Sequence, residues 1–380
     1  MNTSAESNPP VLDIAILCQK QFGSHVDTYY YCKYLSRRHR VTYICWDYGS
    51  TRQGIEKVAV QYVSRNHSLI VRNLLYIYVV CTQLRRQAFN VCFIKYFRGC
   101  SILPLLFPRV GFIFDIRSGS ISRSWLSRFI CDNLLKFESR FFKHVTVISA
   151  SLRRKLGLEG KAHILPVGSI SLSVKEKEFC DLHLLYVGTL YNRNIDRTIP
   201  AFARFAQNHS HEIRCTYTII GSGPDNEEEV LRSLAAELGV ADRVHVVGRV
   251  PFEELGRFFD THNVGVSFVP MTSFYDVQPV TKTFDYLLSG MVVIATATSE
   301  NKLVIDESNG VLIDDTSADF FLGLEKVMAE RAKYKSAAIL ENALKYHRDT
   351  ISRELERSML EKIGFSETGE GSVLAEWRVQ

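Results

Sequence analysis

The residues best suited to chemistry lie around a short predicted helix that begins after Pro279. Lys282 and Asp285 are three residues apart and therefore share one face of that helix. At the helix start, the free N–H groups around Val280 and Thr281 can bind a phosphate. A carboxylate one turn further along can accept hydrogen bonds from the diol of a ribose. Together these features suit a nucleoside diphosphate, although an αβ unit of any doubly wound domain has the same helix and strand.

Alternating strands and helices must position these residues, because apolar runs of strand length recur along the whole chain. This alternation predicts an α/β fold whose parallel sheets are covered by helices on both faces. Ligands of such sheets bind beyond the carboxyl ends of the strands, where Gly23-Ser24 and Arg117-Ser118 fall. The predicted strands are 12–18, 39–46, 91–94, 111–116, 145–149 and 163–165 in the first half, and 182–188, 216–220, 244–248 and 291–295 in the second. Predicted helices include 69–86 and a charged final segment at 345–363.

Composition favours a soluble globular protein, with 46% hydrophobic and 23% charged residues among 380. The longest purely apolar run, Leu74 to Cys81, is too short to span a bilayer, and the polar N-terminus has no signal-peptide pattern. The nine cysteines form no Cys-x-x-Cys pair, which argues against a zinc site. We therefore expect a cytoplasmic protein. The cysteines expected to be reduced core residues are Cys18, Cys45, Cys92 and Cys215.

Charge is distributed unequally between the two halves of the chain. Residues 1–170 contain 24 Lys and Arg against 9 Asp and Glu, whereas residues 171–380 contain 22 against 32. A basic first half suits an anionic partner, and no nucleic-acid motif is present, so an anionic membrane surface is the partner we expect. A predicted helix from Ser122 to Lys143 would rest on it or pack its aromatic face on the sheet. Its aromatic and apolar residues are Trp125, Phe129, Ile130, Leu134, Phe137, Phe141 and Phe142, interleaved with Arg123, Arg128, Lys136, Arg140 and Lys143.

The β–α units between about 180 and 315 resemble the C-terminal half of the retaining glycosyltransferases of family 4. The segment Pro-Val-Thr-Lys-Thr-Phe-Asp-Tyr-Leu from Pro279 is similar to a Pro-x-x-Lys-x-Phe-Glu-Tyr-Leu motif of that family. The resemblance implies the GT-B architecture, in which two Rossmann-like domains face each other across a cleft. It places an acceptor-side domain at 1–169 and a nucleotide-sugar domain at 170–344. Residues 345–380 would form a helix that crosses back to the first domain, followed by a tail.

The resemblance also assigns residues to the donor, a nucleoside diphosphate sugar. In the family, an Arg and a Lys after the first strand of the second domain neutralise the diphosphate. Here Thr189 replaces the Arg, and Arg193 lies near the Lys position, with a solvated loop residue as the alternative. Lys282 is a second available cation, and Asp285 stands where a glutamate binds the ribose. The predicted donor-binding set is Gly188, Arg193, Gly221, Arg249, Val280, Thr281, Lys282 and Asp285.

Catalytic and acceptor residues follow the family pattern less closely. The family glutamate that contacts the donor sugar would fall at Val277, so the neighbouring Asp276 is the candidate. Asp115 and Arg117 could orient an acceptor hydroxyl and hold an acceptor phosphate, or form a mutual salt bridge instead. The predicted acceptor-side loop is Gly23, Ser24 and His25, where a surface helix residue is the alternative for the histidine.

The expected function is therefore transfer of a sugar from a nucleoside diphosphate sugar to an acceptor hydroxyl. The resemblance implies retention at the anomeric carbon, with no cofactor and no essential metal. Because the first half is basic, we expect a glycan or lipid-linked acceptor at the inner face of the cell membrane, as in polysaccharide or lipopolysaccharide synthesis. The departures at Thr189 and Val277 keep two alternatives open. One is a catalytically silent nucleotide-sugar-binding partner of another transferase, and the other is a sugar-nucleotide epimerase of the same fold.

Overall fold

The computed structural model describes residues 10–120 and 124–362, which divide into two compact units. Unit 1 contains the described residues up to 167 together with those from 348 onward, and unit 2 is Gly168–His347. Within the described ranges, no helix is both long and apolar enough to cross a membrane. The tail residues 363–380, like Ser122 and Arg123 of the predicted aromatic helix, lie outside those ranges.

Unit 1 is built on one seven-stranded sheet in which every pairing is parallel. Its strand order is β3-β2-β1-β4-β5-β6-β7, so the order of strands reverses between β1 and β4. The strands are Asp13–Leu17 (β1), Arg40–Asp47 (β2), Val58–Ser64 (β3), Val91–Lys95 (β4), Gly111–Ile116 (β5), His144–Val147 (β6) and Ala162–Ile164 (β7). The helices between them are Val26–Leu35 (α1), Leu69–Arg86 (α2), Ile102–Leu106 (α3), Trp125–Ser139 (α4) and Ala150–Lys155 (α5).

Unit 2 repeats this design on a parallel six-stranded sheet of order β10-β9-β8-β11-β12-β13. The parallel α/β fold predicted from the sequence is confirmed in both units. The strands are Leu182–Val187 (β8), Cys215–Ile220 (β9), Val244–Gly248 (β10), Val264–Ser267 (β11), Val292–Thr296 (β12) and Gly310–Ile313 (β13). The main helices are Thr198–Asn208 (α6), Glu227–Glu237 (α7), Gly256–Thr261 (α8), Thr281–Leu287 (α9), Ser317–Glu330 (α10) and Ser336–Ala343 (α11).

Three strands of the structure, β3, β11 and β13, are missing from the sequence-based assignment. In β3, Val63 is the only buried residue, so its apolar alternation is weak, as expected of an edge strand. In β11 all four residues are buried, but the strand is short and contains Gly265 and Ser267, which interrupt the apolar run. These strands were missed because the burial of a strand in a parallel sheet depends on its neighbouring strands, which the local pattern of apolar residues does not show.

The final helix, Arg348–Lys362 (α12), belongs to unit 1. Ile351, Leu355 and Met359 are buried in the same core cluster as β1, β2 and α1. His39 strengthens this packing: its Nδ1 accepts from the backbone N–H of Leu12 at 3.1 Å, so Nε2 carries the proton and donates to Glu356 at 2.8 Å. The end of the chain thus completes the core of the unit in which the chain begins.

The aromatic face of α4 is exposed rather than packed on the sheet. Trp125 and Phe129 are 68% and 60% exposed, whereas the helix faces the core through Leu135, Glu138 and Ser139. Phe142 is the exception among the predicted aromatic set, because it is buried and stacks on Phe114 with ring centroids 4.6 Å apart. Of the two interpretations of this helix, packing of the aromatic face on the sheet is therefore wrong within unit 1.

Candidate functional site

The strand order of unit 2 reverses between β8 and β11, and ligands of doubly wound sheets bind at the carboxyl ends of the strands at such a point. Gly188 follows β8 and Gly221 follows β9, with φ of +154° and +155°. A side chain on Gly221 would overlap the carbonyl oxygen of Gly188, so only glycine allows the two loops to approach. The sheet edge therefore presents bare backbone where a ligand can come close.

Lys282 on α9 brings its side-chain amine to the carboxyl ends of these strands. Its Nζ lies 3.6 Å from the centroid of the Tyr186 ring, and a Cβ added to Gly188 would be 3.5 Å from it. The Nζ is buried and has no hydrogen-bond partner among the described residues. Burial, assisted by the charge of Arg193, lowers the pKa of Lys282 well below its usual value. A buried ammonium without a counter-ion is costly, so the arrangement favours an incoming anion.

Several buried contacts fix α9, and with it Lys282, against the sheet. The hydroxyl of the fully buried Tyr286 accepts from the backbone N–H of Val187 at 2.9 Å. The ring of Tyr286 covers Gly265 of β11, where any side chain would collide with it. One turn earlier, the Thr283 hydroxyl lies 2.7 Å from that of Ser267. These contacts join α9 to both strands of the switch point and hold the lysine with little freedom.

Arg193 adds a second cation beside Lys282. Its guanidinium stacks over Tyr275 at 4.4 Å from the ring centroid and donates to the hydroxyl of the same tyrosine. Asn192 and Asn194 on either side both have positive φ, which produces the tight turn that directs this loop. Arg193 is thus a positioned residue rather than the freely solvated alternative. By contrast, Arg249 after β10 is exposed, as is Thr281 at the start of α9.

Asp285 lies one turn from Lys282 on the same helix and is half-buried. Its carboxylate accepts a hydrogen bond from the hydroxyl of Ser169, and its backbone carbonyl accepts from Ser289 at 2.8 Å. Ser169 is in turn held by its backbone N–H, which donates to Tyr346 at 2.9 Å. Sequence reasoning missed this partner because 116 residues separate the two side chains. A role of Asp285 on a ribose stays a prediction.

Asp276 binds the loop that follows β12. Its two carboxylate oxygens accept from the backbone N–H and the hydroxyl of Ser299, each at 2.8 Å. This contact ties the segment before α9 to the segment after β12. The role of Asp276 on a donor sugar stays a prediction, and Ser299 is the partner that the sequence did not reveal.

Asp115 and Arg117 in unit 1 form a buried ion pair, which was the second interpretation of these residues. Arg117 Nε lies 2.6 Å from the Asp115 carboxylate, which also accepts from Thr146 at 2.7 Å. Arg117 further donates to the Leu165 carbonyl at 3.1 Å and to the Tyr31 hydroxyl. Both side chains are buried, so their hydrogen-bonding groups are directed to each other and to the fold. This geometry gives no support to contact with an acceptor.

The predicted acceptor-side loop forms the start of α1. His25 caps the helix, with Nδ1 accepting from the backbone N–H of Thr28 at 3.4 Å, and the Ser24 hydroxyl donates to the Gln21 carbonyl at 2.6 Å. Burial and then the nearby charges of Lys95 and other cations lower the pKa of His25 to about 3, so its imidazole is neutral near pH 7. Gly23 has φ of +89°, which suits the turn before the cap.

Unit 1 also contains a cavity of about 520 Å³ beside β6, β7 and α12. Among the described residues that line it, none is a predicted site residue. In the same described ranges, no group of three or more His, Cys, Asp and Glu side chains is arranged to hold a metal ion. In unit 2, in contrast, four of the residues singled out from the sequence lie together at the carboxyl ends of the strands: Gly188, Gly221, Arg193 and Lys282.

Part of the chain matches a known protein family. Residues 181–330 match the Glycosyl transferases group 1 family. The matched stretch contains Gly188, Lys282 and Asp285, so the resemblance predicted from the sequence is confirmed at the level of the group 1 glycosyl transferases. No protein in a search of curated sequences matches the chain.

Solved structures share the fold over nearly the whole chain. Sucrose-phosphate synthase from Thermosynechococcus elongatus is 16% identical with a TM-score of 0.69, covering 93% of this chain and 99% of its own. HepE from Anabaena in complex with UDP is 12% identical with a TM-score of 0.68, covering 93% and 100%. WaaG, a glycosyltransferase involved in lipopolysaccharide biosynthesis, is 16% identical with a TM-score of 0.62, covering 91% and 99%. At these identities the likeness establishes the fold, which is the predicted GT-B fold.

Proposed function

We propose that this protein is a retaining glycosyltransferase that moves a sugar from a nucleoside diphosphate sugar to an acceptor hydroxyl. The observation that carries the proposal is the buried, unpartnered Nζ of Lys282 at the switch point of unit 2. As the sugar leaves, negative charge develops on the diphosphate oxygen, and a fixed cation in a site from which water is excluded stabilises that charge strongly. HepE, which has the same fold, is solved with UDP and with UDP-glucose, which supports a nucleotide sugar as the ligand.

Three further residues have proposed roles that follow from their positions. Arg193, held on Tyr275, neutralises the second phosphate. Asp285 accepts hydrogen bonds from the ribose diol while Ser169 holds its carboxylate in place. Asp276, anchored by Ser299, faces the donor sugar. Because lysine, arginine and backbone N–H groups supply the neutralising charge, the transfer needs no divalent metal.

A thermal-shift panel with UDP, GDP, TDP and their sugars tests the proposal, because a ligand that binds only the folded state raises its stability. We expect one base to raise the melting temperature of the wild type. Lys282→Met keeps the length of the side chain and removes its charge, so the shift should disappear in that variant. Lys302→Met is the matched control, since Lys302 is an exposed lysine of the same unit. A wild type that responds to no nucleotide would overturn the proposal.

Turnover separates a transferase from a silent partner. We expect the nucleotide that stabilises the protein also to be released from its sugar when an acceptor is supplied, with the anomeric configuration of the donor kept in the product. Binding without any release across a panel of lipid-linked and free glycan acceptors would instead identify a nucleotide-sugar-binding partner. Formation of a different sugar from the donor alone would identify an epimerase.

We further propose that unit 1 attaches to the inner face of the cell membrane, where the acceptor is a lipid-linked or cell-surface glycan precursor. The exposed aromatic face of α4 supports this, as does a row of exposed residues on α2. The segment between them contacts both helices, because Gly99 packs on Ile77 of α2 and donates its N–H to Glu138 of α4 at 3.0 Å. WaaB, which has the same fold, is described as a lipopolysaccharide outer core galactosyltransferase. The exposed α2 residues are Leu69, Ile70, Val71, Leu74 and Tyr78.

Co-sedimentation with anionic liposomes tests the attachment. Aromatic side chains enter the interface while basic ones attract anionic lipid, so binding should fall when salt is raised. Changing Trp125, Phe129 and Phe137 to Ser should weaken binding more than the control Phe252→Ser, which removes an exposed aromatic from unit 2. A second variant tests the contribution of positive charge. It changes five basic residues to Gln: Arg123, Arg128, Lys136, Arg140 and Lys143. A wild type that ignores anionic liposomes at low salt would contradict this part of the proposal.

A further inference from the structure

A second group of cations without counter-ions lies in unit 1, around Trp46 at the end of β2. Trp46 is only 6% exposed, and its indole N–H has no hydrogen-bond partner among the described residues. The guanidinium carbons of Arg65 and Arg72 lie 5.7 and 5.1 Å from the centroid of its ring. Arg65 also stacks on Tyr48, at 3.8 Å from that ring centroid. Two arginines are thus gathered on one tryptophan.

No carboxylate in the described part of the chain neutralises these two arginines. The Nε atoms of Arg65 and Arg72 are both buried, and neither has a hydrogen-bond partner there. Asp47, next to Trp46 in the sequence, is bound instead to Arg52 at 2.8 Å. Cation–π contact orients a guanidinium but leaves its charge in place. Buried donors without acceptors, on two like charges that contact one ring, are unfavourable until an anion binds them.

The position of the group matches that of a ligand site. Arg65 directly follows β3, Trp46 precedes the last residue of β2, and Arg72 lies in the first turn of α2. A hydrogen bond of 2.9 Å from Gln19, just after β1, to Asn73 brings the turn after that strand to the same place. The group therefore lies at the carboxyl ends of parallel strands, where doubly wound sheets bind ligands.

The outer side of the same helix turn is apolar. Leu69, Ile70 and Leu74, which surround Arg72 in the sequence, are 61%, 73% and 62% exposed. Paired cations beside exposed aliphatic side chains match a molecule that joins a phosphate to a hydrocarbon chain. A free sugar phosphate would use the cations alone.

We propose that Arg65, Arg72 and the indole N–H of Trp46 form an anion subsite for the acceptor, which carries a phosphate monoester or diester. The two guanidinium groups donate to the phosphate oxygens, and the indole N–H adds a third donor. This site takes the place of Arg117, whose hydrogen bonds are committed to Asp115 and to backbone carbonyls. Only the identification of the bound molecule as the acceptor rests on the proposed function. Anion binding itself does not depend on it.

Fluorescence of Trp46 reports on the site directly. The chain has three tryptophans, so Trp125→Phe and Trp377→Phe leave Trp46 as the single emitter. We expect a saturable change on titration with glycerol 3-phosphate and none with glycerol. Arg65→Gln combined with Arg72→Gln should weaken the response at least tenfold. Arg85→Gln is the matched control, because Arg85 is exposed on the same helix and should leave the response unchanged.

A second arm identifies the source of the phosphate. Tighter binding of dihexanoyl phosphatidic acid than of glycerol 3-phosphate would assign the subsite to a lipid phosphate, and equal binding to a sugar phosphate. UDP binding is measured in parallel on every variant and should survive the double change. If the protein binds glycerol 3-phosphate but not UDP, the proposed function is overturned and the anion subsite is not. The site is overturned if wild-type Trp46 responds to no phosphate, if the folded double variant keeps the response, or if Arg85→Gln weakens it equally.

Discussion

Binding of a nucleoside diphosphate should place a proton on Lys282. In the empty protein, burial lowers the pKa of this amine well below its usual value, and Arg193 lowers it further. A bound diphosphate stabilises the ammonium form and raises the pKa again. Between the lowered pKa and the ordinary value of 10.5, the amine is neutral in the empty site and charged in the complex. UDP binding in that pH window must therefore take up as much as one proton per site.

The effect is large enough to measure. Within the window, each pH unit should weaken UDP binding by up to about tenfold, or about 1.4 kcal/mol. Working above pH 8 keeps the terminal phosphate of UDP ionised, since such groups have a second pKa near roughly 6. Isothermal titration calorimetry in two buffers of different ionisation enthalpy gives the number of protons taken up directly. Because loss of the amine removes the linkage, Lys282→Met should show neither proton uptake nor the pH slope.

Lys302→Met again serves as the control and should behave as the wild type does. Two results would refute the reasoning. The first is a wild-type affinity that is independent of pH from 8 to 10 without proton uptake, which would mean that Lys282 is charged before the ligand arrives. The second is the same proton uptake in Lys282→Met, which would assign the proton to another group.

Two further predictions concern other predicted site residues, and a third concerns metal dependence. Asp285→Ala should weaken UDP binding by about 1–3 kcal/mol, the loss of a charged hydrogen bond, whereas Ser169→Ala keeps the carboxylate and should cost much less; equal losses in calorimetry would mean that the carboxylate only holds the loop. Asp115→Asn should destabilise the fold by about 3 kcal/mol in urea unfolding, because it removes the nearer of the two carboxylates beside the buried Arg117 and leaves only Asp27, at 3.6 Å. Unchanged stability with lost activity would point back to the acceptor. Sugar transfer should persist in excess EDTA, and loss that manganese or magnesium restores would contradict a metal-independent mechanism.

Apolar pattern was sufficient for most elements of the fold and failed where burial is uneven. The strands at 111–116 and 244–248 and the helix at 69–86 have the predicted bounds in the structure. Each is a continuous or periodic apolar run with turn residues at its ends. The edge strand β3 is buried unevenly, since Val63 is its only buried residue. The pattern of apolar residues therefore predicts a strand or helix only where most of one face, or the whole segment, is buried.

The types of residue at the site could be predicted from the sequence, but their hydrogen-bond and ion-pair partners could not. The spacing of Lys282 and Asp285 placed both on one helix face, as the structure confirms. The burial of the lysine amine, however, results from packing against Tyr186 and Gly188, which lie in another β–α unit. The sequence already offered Asp115 as a partner for Arg117, but it did not show that Arg65 Nε would be buried without one. Hydrogen-bond and ion-pair partners are decided by tertiary structure, so the sequence alone did not single out Arg65.

The contrast between these arginines supports the proposal of two anionic substrates. Burial of a cation is not a sign of function by itself, because Arg117 is buried and satisfied by Asp115 and by carbonyl groups. Lys282 and Arg65 are only partly buried as residues, but Lys282 Nζ and Arg65 Nε are buried atoms without a hydrogen-bond partner among the described residues. Each lies at the carboxyl edge of its own parallel sheet, where ligands of this fold class bind. The proposed transfer from a diphosphate donor to a phosphorylated acceptor would use one unpartnered group of this kind for each substrate. The structure has this arrangement in both units.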